Sequence, residues 1–177
     1  MGSSWIQTFT GRKFLPLEPR VEDIDIRDIA HSLALLSRFN GHCRRFYSVA
    51  DHAVRVSRAV PPAHARWGLL HDAGEAYLSD LPRPVKRECT WFNEVEDRLL
   101  RVVAEAFCLG WPMPPEVRVA DDRLLVTEAR DLLGPPPEPW GVSADPLPDP
   151  IEPLDPMAAE RAFLDRFREL YPAAVIP

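Results

Sequence analysis

Apolar residues recur along this chain at intervals of three and four, the period of a helix with one buried face. From Asp25 to Arg38, Ile26, Ile29, Ala30, Leu33 and Leu36 fall on one side and charged residues on the other. Gly41 stands just beyond, where a helix stop is expected. Ser48 and Asp51 have the spacing of a capping box, and Ala53, Val56 and Val60 continue an apolar stripe, so Ser48 opens a second helix. Pro61 and Pro62 end it. Pro62 also suits the first turn of a third helix carrying Ala65, Trp67, Leu69, Leu70 and Ala73. So short a connection makes the second and third helices close neighbours.

A long amphipathic stretch follows, with Phe92, Val95, Leu99, Val102, Val103, Ala106 and Phe107 at helical spacing before Gly110 and Pro112. Another helix is predicted from about Pro115 to Leu133, with Val117, Ala120, Leu124 and Leu125 inward. A last one runs from Met157 to Leu170, with Ala162, Phe163 and Phe167 on one side. Alternating patterns are scarce and no repeat recurs at solenoid spacing. The predicted fold is all-α, six or so helices around one core.

Composition changes this picture at one place. Of 20 prolines, nine fall between Pro135 and Pro156, a stretch that cannot be regular helix or central strand. It is either a long loop wrapped over the domain or a semi-rigid linker, and Trp140 in its middle favours wrapping. The expected organisation is one domain over residues 1–177: a helical core over about 24–133, a proline-rich strap over 134–156 and a C-terminal helix over 157–171. A length of 177 residues fits a single core.

The formal net charge of −6 argues against non-specific binding to a nucleic-acid polymer, which needs a basic face. No 18 apolar residues run together, so no membrane span is expected. The N-terminal MGSSWIQTFTGRKF lacks the apolar core of a secretion signal, and Ile6 occupies the position where myristoylation needs Ser or Thr. Cys43, Cys89 and Cys108 form no CxxC and are odd in number, which suits a reducing cytoplasm. A cytoplasmic location is the expectation.

The local pattern with most chemistry is His71-Asp72 near the end of the third helix, followed by Glu75. On a helix these three share a face, and His with Asp can offer one cation an imidazole nitrogen and a carboxylate. His52 lies in the first turn of the preceding helix, and an antiparallel pair of helices would bring it to His71. Two histidines with carboxylates make a mixed N/O donor set, suited to a transition metal rather than calcium.

The order of these residues resembles the HD-domain metal-dependent phosphohydrolase superfamily, whose signature is H…HD…D over consecutive helices. The stretches DIAHSLALLSRFNGH, RRFYSVADHAVRVSRAVPP, WGLLHDAGEAYLSDLPRPVK and VADDRLLVTEARDLL are similar to small bacterial and phage HD proteins akin to 5′-deoxynucleotidases. The resemblance covers about Ile24 to Leu133 and, more loosely, the C-terminal helix. It implies metal ligands His52, His71, Asp72 and Asp121. Asp121 is taken over Asp122 because the family's ligand precedes its apolar pair, here Leu124-Leu125, by three residues. It also implies that Glu75 is the acid or base handling the attacking water, that Asp80 is a further site carboxylate, and that Arg38 grips phosphate.

The implied cofactor is one divalent transition metal (Co²⁺, Mn²⁺, Ni²⁺, Fe²⁺ or Zn²⁺), with Mg²⁺ accompanying substrate as a further option. The implied reaction is hydrolysis of a deoxyribonucleoside 5′-monophosphate to nucleoside and phosphate. Alternatives are a deoxynucleoside triphosphate hydrolase and a catalytically silent nucleotide-binding module. The expected partners are a small nucleotide and further copies of the chain, as a dimer or higher oligomer.

Other polar residues receive plainer assignments. His42 is placed at the substrate pocket, His31 in packing or capping, and His64 in solvent. Arg44 and Arg45 either steer a phosphate or form a surface pair. Arg83 and Lys86 are expected to be exposed, Glu128, Arg130 and Asp131 to pair on a helix surface, and Trp67 and Phe46 to lie in the core.

Overall fold

The computed structural model describes residues 4–173. Residues 1–3, where the N-terminal stretch inspected for a leader begins, and 174–177 lie outside them. The fold is all-α, with one small antiparallel pair, β1 (Ile6–Gln7) and β2 (Lys13–Phe14), ahead of the helices. Helix starts follow local chemistry. Asp25 accepts from the Arg27 N–H and opens α1 (Ile26–Leu35). Ser48 accepts from the Asp51 N–H, as its spacing predicts, and opens α2 (Val49–Ala59). Asp155 accepts from the Ala158 N–H and opens α8 (Pro156–Leu170). Prolines occupy the first positions of α7 (Pro115–Leu132) and α8, where a missing N–H costs nothing.

Helix α2 is the centre of the fold and packs on α1, α7, α8 and α3 (Ala65–Leu70). α3 approaches it closely because Gly68 has no side chain: a Cβ there would lie 2.8 Å from the Ser57 Cα. This contact sets the distance between the helix that carries His52 and the segment that carries His71. The third helix is shorter than its sequence predicts. It stops at Leu70, residues 71–74 form a turn, and α4 (Glu75–Leu78) begins afresh. His71 and Asp72 are therefore turn residues, although His71 keeps a helical backbone (φ −62°, ψ −33°). A short helix, α5 (Arg83–Glu88), then precedes α6 (Thr90–Ala106).

The core begins before residue 24. Phe14 is fully buried and stacks on Tyr77 at 4.1 Å between ring centroids, so β2 is part of the packed body. One cluster joins Phe14, Ile29, Leu33, Leu70, Leu99 and Phe163. A second gathers Tyr47, Trp67, Val117, Leu124 and Ile151. Trp67 is buried as expected, whereas Phe46 is 41% exposed. Phe46 follows the irregular turn before Ser48 and has no helical face to share.

The proline-rich strap is wrapped, not a free linker. Its backbone N–H groups at Leu147, Ile151 and Leu154 donate to Thr127, Asp131 and Asp51, and Arg130 donates to the Leu147 carbonyl. Side chains thus satisfy a backbone that proline keeps out of regular structure. No helix among the described residues is long and apolar enough to cross a membrane.

Gly68→Ala is expected to push α3 off α2 and cost about 1–3 kcal/mol of stability, as overpacking does. A denaturant midpoint unchanged from the parent would contradict this account of the α2–α3 spacing.

Candidate metal centre

Three elements converge at the end of α3. His52 comes from the first turn of α2, His71 and Asp72 from the α3–α4 turn, and Asp121 from α7. The His52 and His71 Nε2 atoms are 3.3 Å apart. Asp72 Oδ2 lies 3.1 Å from His71 Nε2 and 3.7 Å from His52 Nε2, and Asp121 Oδ1 lies 3.2 Å from His52 Nε2. One donor atom from each of His52, His71 and Asp72 falls within 4.8 Å of the others, a cluster that could hold a metal ion. Asp121 adjoins that trio through His52. Asp122, its neighbour, contacts Arg83 at 3.2 Å and, unlike Asp121, makes no contact with His52.

The imidazole rings are aimed from behind. His71 Nδ1–H donates to the Gly68 carbonyl at 2.9 Å, leaving Nε2 to face the cluster. His52 Nδ1–H donates to Glu128, which has no solvent exposure. Glu128 also accepts from the Tyr47 hydroxyl at 2.9 Å and from Arg38 Nη2 at 3.0 Å. A carboxylate behind an imidazole fixes its tautomer and raises its basicity, the arrangement behind many metal-bound histidines. Glu128 is therefore not the surface residue expected. The signal was in the chain: 128 follows Val117, Ala120 and Leu124 along the apolar stripe of α7, and a carboxylate there must be buried with partners.

The other expected residues fall around one cleft. Arg38 is 12% exposed at its side chain, paired with Glu128, and 4.0 Å from Asp72. Its Nε has no partner. Glu75 is buried, and its Oε2 likewise has none. Asp80 and His42 line the same side of the cleft as Arg38 and Glu75. Arg83 is exposed as expected, though it bridges Asp121 and Asp122, whereas Lys86 is half-buried and pairs with Glu96. His31 packs as expected, stacked on Phe9 and bonded to Glu160. Arg130 and Asp131 do pair, and both also tie down the strap.

The cleft has two lobes of about 710 and 760 Å³. They share Asp72, Glu75, Arg83, Lys86, Arg87 and Asp121, so the cluster sits where they meet. Burial raises the Glu75 carboxyl well above its ordinary range, and Asp72 and Asp80 add to the rise. Burial also raises Asp80, with Asp72 contributing. Burial and the Arg38 charge press His52 downward, but Glu128 and Asp121 outweigh them and hold it at about 9. Burial opposes ionisation of Glu128, yet Arg38 and His52 keep its carboxyl below the usual range.

Fold and site together define an all-α protein with a buried histidine–carboxylate cluster at the floor of a cleft. The chain belongs to the family of the uncharacterized protein YfdR of Escherichia coli (strain K12), with 40% identity over 171 residues, 94% of this chain and 96% of that protein. It is also 38% identical to the uncharacterized protein RCAP_rcc00048 of Rhodobacter capsulatus over 148 residues, 76% of each. No family model matches the chain.

His52 carries a folded-state pKa of about 9 against 6.5 when exposed. Its pairing thus stabilises the metal-free fold fully below pH 6.5, and the contribution is lost as pH rises through 9. Denaturant midpoints of the chelator-treated protein should fall across that window. A flat profile there would contradict the buried His52–carboxylate charge pair.

Proposed function

We propose that this chain is a metal-dependent phosphohydrolase of the HD superfamily that releases phosphate from deoxyribonucleoside 5′-monophosphates. The observation that carries the reading is the meeting of His52, His71, Asp72 and Asp121 at the floor of a cleft, beside a buried Glu75 with an unpartnered oxygen. The order of these residues is the H…HD…D order that the sequence resembles.

The donor set fits a divalent transition ion. Two imidazole nitrogens and carboxylate oxygens suit Mn²⁺, Co²⁺, Ni²⁺, Fe²⁺ or Zn²⁺, and the Glu128–His52 contact supplies the carboxylate support that such ions favour. His52, His71, Asp72 and Asp121 would hold it, and when bound it supplies a polarised phosphoryl oxygen and a more acidic water.

The chain's own groups perform the rest. Arg38 is anchored by Glu128 and lines the cleft, so its guanidinium can meet a phosphate oxygen without losing its anchor. Burial and its carboxylate neighbours raise the Glu75 carboxyl well above its ordinary range and so favour its protonated form. That proton can pass to the 5′-oxygen of the departing nucleoside as the P–O bond breaks. The Asp80 carboxylate adds to the rise in Glu75 and so tunes how firmly Glu75 holds its proton. In the ionised state Glu75 instead accepts a proton from the attacking water.

A second reading, hydrolysis of deoxynucleoside triphosphates, draws support from the other lobe. Arg87 and Arg118 line it and form no ion pair among the described residues, so further phosphates have cations to meet.

The test is phosphate release from deoxy- and ribonucleoside mono- and triphosphates with Mg²⁺, Mn²⁺, Co²⁺ and Zn²⁺. The expected result is single phosphate from deoxynucleoside monophosphates, with Glu75→Gln lowering kcat about 10²–10⁴-fold and Asp72→Ala abolishing metal binding and turnover. Turnover of triphosphates alone favours the second reading. Silence across the panel with metal bound favours a nucleotide-binding module.

A further inference from the structure

One lobe of the cleft is lined by two kinds of side chain. Arg38, Asp72, Glu75 and Asp80 bring charge. Phe39, Leu125, Leu133, Trp140 and Val142 bring apolar surface. A cavity of about 710 Å³ with both kinds of lining exceeds what a phosphate alone requires. It matches a ligand that joins an anionic group to a flat apolar ring.

Phe39 is held there against local preference. Phe39, Asn40 and Gly41 are three successive left-handed residues, with φ of 53°, 50° and 78°. Phenylalanine rarely adopts that backbone, and a strained run of this kind persists only where surrounding contacts over-determine it. Here the Arg38 N–H donates to the Tyr47 carbonyl at 2.8 Å before the run, and the His42 N–H donates to the Phe39 carbonyl at 2.9 Å after it. The run carries Phe39 to the lobe next to Arg38, whose guanidinium lies 5.4 Å from its ring centre.

Trp140 reaches the same lobe from the strap. It meets Phe39 edge to face, with centroids 5.9 Å apart and an interplanar angle of 84°. The indole remains 46% exposed. The strap's backbone bonds to α7 and α2 lie further along the chain, at Leu147, Ile151 and Leu154. An indole that leaves much of its surface uncovered at the wall of a site can receive a planar ring.

We propose that Phe39 and Trp140 form a stacking site for the heterocycle of the substrate, and that the proline-rich strap is thereby part of the substrate site. The proposal rests on the phosphohydrolase reading only for the ligand being a nucleotide. Stacking is sequence-tolerant because every base has a π-face. The site therefore accepts purines and pyrimidines alike and sets affinity, while the charged residues set chemistry. Trp140 is a binding residue and takes no part in proton transfer.

The experiment is calorimetric titration of the full chain with deoxyadenosine in the presence of chelator, so that neither phosphate nor metal contributes. The parent should bind. Trp140→Ala should weaken binding about tenfold, the loss of one stacked face, and Trp140→Phe should retain most of it. In the metal-loaded protein, Trp140→Ala should raise KM for deoxyadenosine 5′-monophosphate by a much larger factor than KM for 2-deoxyribose 5-phosphate, which has no ring to stack. Failure of the parent to bind deoxyadenosine, or equal affinity in the parent and Trp140→Ala, overturns the proposal. Phosphate release with equal deoxyadenosine affinities sinks the stacking site alone. Trp140-dependent deoxyadenosine binding without phosphate release from any ester sinks the hydrolase reading alone and leaves the stacking site standing.

Discussion

A carboxylate with no path to water has to be neutralised from within, and Glu128 is such a group. Withdrawing an ion into a protein interior costs several kcal/mol, so its partners have to be both charged and well placed. Arg38 and His52 meet that demand and the Tyr47 hydroxyl adds a hydrogen bond, all three from the stretch 38–52. The same contacts bind α7 to α2, hold the Arg38 guanidinium at the cleft wall, and turn the His52 Nε2 toward His71 and Asp72. Structure and candidate chemistry therefore share one constraint. Replacing Glu128 by an apolar residue would leave Arg38 and His52 as buried cations facing one another.

Much of this arrangement was legible in the chain. The helical period located α2, α7 and α8 to within a residue or two, because each has an apolar face and a capping side chain or proline at its start; it found α1 and α6 too, although α1 ends three residues before Arg38 and α6 starts without a side-chain cap. The cluster was legible too, since His52 and His71-Asp72 flank a helix connection too short to separate them. Asp121 and Asp122 are adjacent and alike in composition. The resemblance preferred the first, and the contact with His52 favours the same residue.

What could not be read is where tertiary contacts override local pattern. The third helix ends at Leu70 although Ala73 continues its apolar stripe, because His71 uses the Gly68 carbonyl for its own ring nitrogen and the chain turns. Glu128 looked like one more charge on a charge-rich helix, and only the phase of the stripe in α7 marked it as inward. Arg83 and Lys86 sit among prolines, a setting that suggests exposure; Arg83 is exposed, but the pattern gave no sign that it would meet Asp121 or that Lys86 would be half-buried against Glu96. The strap posed the reverse difficulty. Its composition denied it regular structure but gave no sign of its partners, which are polar side chains on α2 and α7 far away in sequence.

The central claim is that a buried carboxylate makes His52 a metal ligand. Titration of the chelator-treated protein with Mn²⁺ or Co²⁺, in parallel with Glu128→Gln, tests it directly. The account predicts one ion per chain in the parent and an affinity about 10–100-fold weaker in the variant, the usual cost of losing the partner behind a ligating histidine. No ion bound by the parent, or equal affinities in the two proteins, would contradict it.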